Sequence, residues 1–275
     1  MRKKTAFLFI AILLYPSTFL QVSSQNQLKT WDVFEITIDS KTSIANPYLE
    51  IAQGKPPFLT ARFTGTEGEA SGKILTVPGF WDGDRTWKIR FAPPAGGAWN
   101  YETFSSGKGL SGKKGIIKVG EWTEKEKEEN PLRRGLITVN SSGERAGRYF
   151  TYSDGTPCLW TADTWWDWTS SRIKFESFKK LADTRAEQGF NIGQLFFAGN
   201  GWGNESSLLD PSFSNPKLEQ IRKIEEMIRY ANSKGITVWI HAWWSREGID
   251  KSIGEENIIR WWTFGPEPRM KSPRK

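Results

Sequence analysis

From Arg148 to Trp262 the sequence alternates short apolar runs with segments of helical periodicity, and this alternation restricts the fold more than any other feature. GRYFTYSDGTPCLWTAD reads as a hairpin turning at Asp154-Gly155, with a second arm that continues as a buried strand from Cys158 to Ala162. Ile173, Phe178, Leu181, Ala182 and Ala186 then recur at helical spacing up to Gly189, a left-handed stop. NIGQLFFAG follows as a second strand. Asn215 is placed to cap the next helix and Pro216 to open its first turn, while Leu218, Ile221, Ile224, Met227, Ile228 and Ala231 form its apolar face before Gly235 ends it. ITVWIH, Ile236 to His241, is a third strand, and SIGEENIIRWW begins a third helix. Strands that alternate with helices in this way pair in parallel and carry the helices over them, as in parallel α/β barrels.

Upstream the grammar differs. Residues 28–120 show short strand-like runs (WDVFEITI, FLTARF, TWKIRFAP, AWNYET, GIIKV) separated by turn sequences such as WDGD, AGG and SSGKG. Helical periodicity is absent there, so the expected fold is an all-β, immunoglobulin-like sandwich of antiparallel strands. Trp31, Phe34, Trp87, Ile89, Phe91, Trp99 and Tyr101 are its expected core or cross-strand residues. The charged run TEKEKEENP has no apolar period and ends in proline, so residues 121–133 read as a linker or solvated connection. The chain is therefore expected to be multidomain: a sandwich over 28–120 and an incomplete TIM barrel over 134–262.

The two ends carry different information. MRKK, the apolar AFLFIAILL and the small residues Val22-Ser23-Ser24 have the regions of a secretory signal, so residues 1–24 are expected to be removed and the protein to be secreted or periplasmic. That apolar stretch is short and broken by Pro16, and no later segment approaches ~18 apolar residues, so no membrane span is expected. Cys158 is the single cysteine, which excludes an intramolecular disulfide. The formal charge of +7 lies largely in the termini. Arg2, Lys3 and Lys4 belong to the leader, and Arg269, Lys271, Arg274 and Lys275 stand against Glu267 in the last thirteen residues. The nearly neutral body between them argues against a nucleic-acid partner.

Ligands of parallel α/β barrels bind at the carboxyl ends of the strands. On this reading the first strand is followed by Asp163-Thr164-Trp165-Trp166, the second by Asn200-Gly201-Trp202 and the third by His241-Ala242-Trp243-Trp244. Each strand end sets indoles beside a hydrogen-bonding residue. Carbohydrate suits such a rim, because a sugar ring has an apolar C–H face for an indole and a belt of hydroxyls for Asp, Asn or His. Any single tryptophan serves equally well as packing between barrel and helices, but three such strand ends favour the rim. Asp163 follows a buried strand, where an ion needs a partner. Substrate contact is the favoured role; a helix cap or a salt bridge to a framework arginine is the alternative. A lone histidine, His241, excludes a multi-histidine zinc site, and no nucleophile-elbow sequence accompanies it. No metal or other cofactor is expected. Glu205, Asp210, Glu247 and Asp250 read as solvated loop charges.

The blocks GRYFTYSDGTPCLWTADTWWD, GFNIGQLFFAGNGWG and IRYANSKGITVWIHAWWS resemble the start of the apiosidase-like glycoside hydrolases, secreted (β/α)8 enzymes that cut plant or microbial glycans. GFWDGDRTWKIRFAP and GAWNYET resemble the sandwich domain, of undefined function, that often precedes such barrels. The resemblance implies a polysaccharide or oligosaccharide ligand, with Asp163, Asn200, His241, Trp165, Trp166, Trp243 and Trp244 as substrate-site residues; the strand-end pattern adds Trp202.

Glycosidases of this architecture use two carboxylates ~5 to 9.5 Å apart, and in related barrels these come from the fourth and seventh strands. Only three strands are expected here, followed by TFGPEPRMKSPRK, an atypical tail (263–275) whose prolines forbid continued helix. Residues 148–275 are about half of the ~250 a barrel uses. The expectation is thus the N-terminal fragment of a secreted glycoside hydrolase, truncated after the third βα unit, with no catalytic residue assigned and no activity of its own. A non-catalytic carbohydrate-binding or cell-surface interaction protein, with the sandwich as its working part, is the alternative.

Overall fold

The computed structural model describes residues 27–43, 47, 58–166, 168, 173–196 and 216–241. The expected leader (1–24), the helix expected after His241 and the tail (263–275) lie outside them.

The first region is built from β1 (Phe34–Asp39), β2 (Leu59–Gly65), β3 (Ile74–Trp81), β4 (Thr86–Phe91), β5 (Gly97–Ser105) and β6 (Lys114–Val119). All neighbouring pairs are antiparallel, in the order β1-β4-β3-β2-β5-β6. The two separate sheets of an immunoglobulin-like sandwich are therefore replaced, among the described residues, by one six-stranded sheet. β3 makes it continuous, because residues 74–78 pair with β2 and residues 79–81 with β4. The change of partner falls at Pro78-Gly79. Proline offers no ladder donor, and a Cβ on Gly79 would lie 2.7 Å from the Leu59 side chain.

The sheet curls until its own halves face each other. Phe63 of β2 stacks on Phe91 of β4 with centroids 3.9 Å apart, and Trp99 of β5 meets Phe91 edge-on at 5.2 Å. Leu59, Trp87 and Ile89 complete a closed core. Each enclosed aromatic removes roughly 150–250 Å² from water. Of the expected core residues, Trp87, Ile89, Phe91 and Trp99 are buried, and Phe34 and Tyr101 pack against them. Trp31 does not join that core. It sits at φ 66° and its ring covers Gly135.

The charged run contains α1 (Glu124–Glu129) followed by a 3-10 turn, Pro131–Arg134. No residue of α1 is buried; its ends hold it. Thr123 and Glu126 form a reciprocal capping box, and Glu126 also takes Lys29 Nζ at 2.6 Å. Lys29 and Arg133 both lie over the Trp122 ring, 4.5 and 4.3 Å from its centroid.

The second region begins with a small antiparallel sheet of β7 (Ile137–Val139), β8 (Phe150–Tyr152) and β9 (Pro157–Cys158). The Asp154-Gly155 turn closes the β8–β9 hairpin, with Gly155 at φ 86°. The buried strand expected over Cys158–Ala162 is in fact two elements: β9 ends at Cys158, and β10 (Ala162–Trp165) starts a new sheet. α2 (Phe175–Glu187), β11 (Ile192–Phe196), α3 (Leu218–Ser233) and β12 (Thr237–His241) complete it, with β10, β11 and β12 parallel. Gly189 and Gly235 adopt φ 81° and 77° just past the two helices, the expected stops. α3 starts two residues later than its sequence suggests, with Lys217 rather than Asn215 before its first turn. No helix of the described residues is long and apolar enough to cross a membrane.

Candidate functional site

Parallel register brings the carboxyl ends of β10, β11 and β12 to one edge, where Trp165 lies beside Leu195, Leu195 beside Ile240 and Phe196 beside His241. Strand alternation then divides the side chains between two faces. Trp165 is 2% exposed and belongs to the core under the helices. It stacks on Trp168 at 3.8 Å, while Phe178 of α2 packs edge-on against both indoles. A Cβ on Gly193 would lie inside the Trp165 ring, so that ring crosses onto the neighbouring strand where only glycine leaves room. Gly193 and Leu195 thus share the helix-covered face, together with Val238.

Asp163 lies two residues before Trp165 and shares that face. It stands inside β10, since the strand begins later than the sequence suggests. Its Oδ2 takes Arg185 Nε of α2 at 2.5 Å and Trp165 Nε1 at 3.1 Å, and its Oδ1 accepts the Thr164 amide at 2.9 Å. Arg185 is held in turn by Gln188 Oε1 at 2.7 Å and covers the Phe190 ring at 5.1 Å. This is the framework-arginine arrangement. It fixes the Trp165 indole and joins β10 to α2.

Trp166 leaves β10 at the strand-end edge and is 41% exposed. His241 is the last residue of β12. Asn200, Trp202, Trp243 and Trp244 lie outside the described residues. Of the expected site residues, the structure joins Asp163 directly to Trp165 and places Trp166 and His241 at the edge where strands finish.

The face opposite the helices carries residues that sequence reasoning passed over. Gln194 and Trp239 are register partners there, and Thr164 pairs with Gln194. Trp239 meets Trp160 edge-on at 5.8 Å, and Trp160 meets Phe150 of β8 at 5.1 Å. Trp160 precedes β10, so this aromatic group lies toward the amino end of the sheet and joins it to the β7–β9 sheet. Asn191 makes a second tie: its side chain donates to Leu159 O at 2.6 Å and accepts Thr161 N at 2.9 Å. Nearby, burial together with Cys158 pushes the Tyr152 phenol well above its usual range. Among the described residues, no three His, Cys, Asp or Glu side chains converge as metal ligands would.

Comparison with known proteins follows this division of the chain. Residues 27–106 match a domain of unknown function, DUF5060, and residues 144–264 match the apiosidase-like catalytic domain. A crystal structure from Bacteroides vulgatus ATCC 8482, provisionally described as a glycoside hydrolase, superimposes with a TM-score of 0.58 at 24% identity. The match covers 78% of this chain and 41% of that one. A glycoside hydrolase family 5 structure from the same organism and another glycoside hydrolase match with TM-scores of 0.39 and 0.36, at 21% and 23% identity. Each of these covers 48% of this chain and 30% of its own. No curated protein matches. The chain thus carries a DUF5060 domain followed by an apiosidase-like glycoside hydrolase domain, and it spans about two fifths of the length of the structure it superimposes on.

Proposed function

We propose that the apiosidase-like region binds glycan at the carboxyl ends of β10, β11 and β12, as the leading part of a secreted enzyme that hydrolyses glycosidic bonds in plant or microbial polysaccharide. The observation that carries this reading is the common edge at which three parallel strands finish, the position where such sheets take ligands. Trp166 stands at that edge with an exposed indole for the C–H face of a sugar ring. By sequence, Asn200 and Trp202 follow β11, and Trp243 and Trp244 follow His241 and β12. Asp163 and Trp165 serve this site as positioning residues, holding β10 against α2.

Hydrolysis needs two opposed carboxylates. Among the described residues of β10, β11, β12 and their carboxyl ends, Asp163 is the one carboxylate, and Arg185 occupies it. We therefore read these described strand ends as holding glycan rather than cleaving it. Titration with pectic and hemicellulosic oligosaccharides, with reducing ends assayed in parallel, tests both halves. Saturable binding is expected, weakened roughly tenfold by Trp166→Ala through loss of a contact worth about 1.4 kcal/mol. Failure to bind any oligosaccharide, or binding indifferent to that substitution, defeats the site. Turnover that tracks the protein through purification defeats the absence of cleavage.

A further inference from the structure

α3 presents two different faces. Ile224, Met227 and Ala231 pack under the parallel sheet, whereas Arg222 and Glu225 meet the outer face of the N-terminal sheet. There Glu225 receives Arg90 Nη1 at 2.5 Å and Nη2 at 2.9 Å, a two-pronged pairing. Arg90 also donates Nε to Glu35 of β1 at 2.7 Å, and its guanidinium lies over Phe80 of β3 at 4.7 Å. Lys88 links Glu35, at 3.3 Å, to Asp82, at 2.9 Å. Asp82 leads back to α3, because Arg222 Nη2 reaches its carboxylate at 3.0 Å and its main-chain oxygen at 2.6 Å. The chain of charges from Glu225 to Asp82 is between 15% and 29% exposed, so solvent screens it less than a surface pair.

The other end of α3 is held as well. Asn130 Nδ2, just past α1, donates at 2.9 Å to Asn232 O, which also accepts the Gly235 amide at 3.0 Å. Pro131 closes on Gly235, where an added Cβ would lie 3.0 Å from its ring. At the amino end Leu218 lies over Gly83, where an added Cβ would stand 2.9 Å from its side chain.

We propose that residues 27–134 act as a fixed brace for α3, gripping the helix at both ends and so setting its position and that of β12. This assigns a mechanical role to the DUF5060 region together with the α1 connection that follows it, and it does not depend on glycan binding. The geometry favours it over an independently moving module, because the charges on each side complete one another's pairing. Removing one partner leaves the other half-buried ion short of its principal contact, with Glu35 alone remaining for Arg90 and Arg229, at 3.9 Å, for Glu225, whereas replacing both with apolar side chains does not.

Hydrogen exchange of the α3 amides in the full chain tests the brace. Arg90→Met and Glu225→Met should each speed exchange across 218–233 about tenfold, and the double Met variant should return toward the parent rate. Singles that leave α3 at the parent rate, or losses that add in the double variant, overturn the proposal. Where a single variant fails to fold, the double decides: a folded protein with protected α3 supports the brace, and one that exchanges faster than the parent by tenfold or more refutes it.

Discussion

The two sheets bury their aromatic residues in different ways. The N-terminal sheet curls upon itself, so Phe63, Phe91 and Trp99 are enclosed by strands alone. The parallel sheet has helices on one face, where Trp165, Trp168 and Phe178 are packed, while its other face leaves Trp239 at 45% exposure and Trp160 at 37%. Parallel sheets ordinarily need cover on both faces. An antiparallel sheet can thus finish its core from its own strands, but this parallel one, among the described residues, finishes one half.

The largest expected effect comes from opening the self-enclosed core. Phe63→Ala removes the ring stacked on Phe91 and should cost about 3–5 kcal/mol in urea unfolding followed by tryptophan emission. If it costs no more than an exposed substitution such as Ile116→Ala, the curled core is not the principal store of stability. Gly193→Ala probes the helix-covered half, because its methyl must displace the Trp165 ring. A loss of about 1–3 kcal/mol is expected, and an unchanged midpoint would mean that the ring is free to move.

Asp163→Asn separates framework from substrate. The amide gives up the charge that Arg185 requires, so a loss of about 1–2 kcal/mol is expected even without sugar, discounted for the partial exposure of both groups. A variant of unaltered stability that loses oligosaccharide binding would return Asp163 to the ligand. The smallest effect concerns pH. Lys29 and the Thr123 cap hold the Glu126 carboxyl down at about 2. Because that value lies below the unfolded one, the stabilisation is complete above pH ~4.3 and fades as the pH falls toward 2. Exchange in residues 124–129 should rise over that window in the parent and less so in Thr123→Ala; equal pH responses would detach α1 from its capping box.

Much of this architecture was legible. The β-α-β alternation, the glycine stops at 189 and 235 and the alternating Trp87-Ile89-Phe91 followed from periodicity and backbone conformation alone. The site was less so, for a physical reason. Aromatic residues at both 165 and 166 remove the period-2 contrast that tells one face of β10 from the other, and the β8–β9 hairpin runs into β10 without a turn signal. Asp163 therefore looked like a strand-end residue, although it stands within the strand. α1 was hidden differently: with no apolar face, it shows only its Thr123-x-x-Glu126 cap, which sits inside a run of charge. The single curled sheet was not legible because the exchange of partners along β3 depends on pairing between distant strands.

That shared strand has a consequence for how the chain assembles. β2, β3 and β4 pair with their sequence neighbours and form a local meander, whereas β1 on β4 and β5 on β2 pair strands that are distant in sequence at its two sides. Close pairings form before distant ones because less chain freedom is lost in making them. β3 thus acts as a seam laid down first, and neither side of the garment can be sewn shut until it is in place.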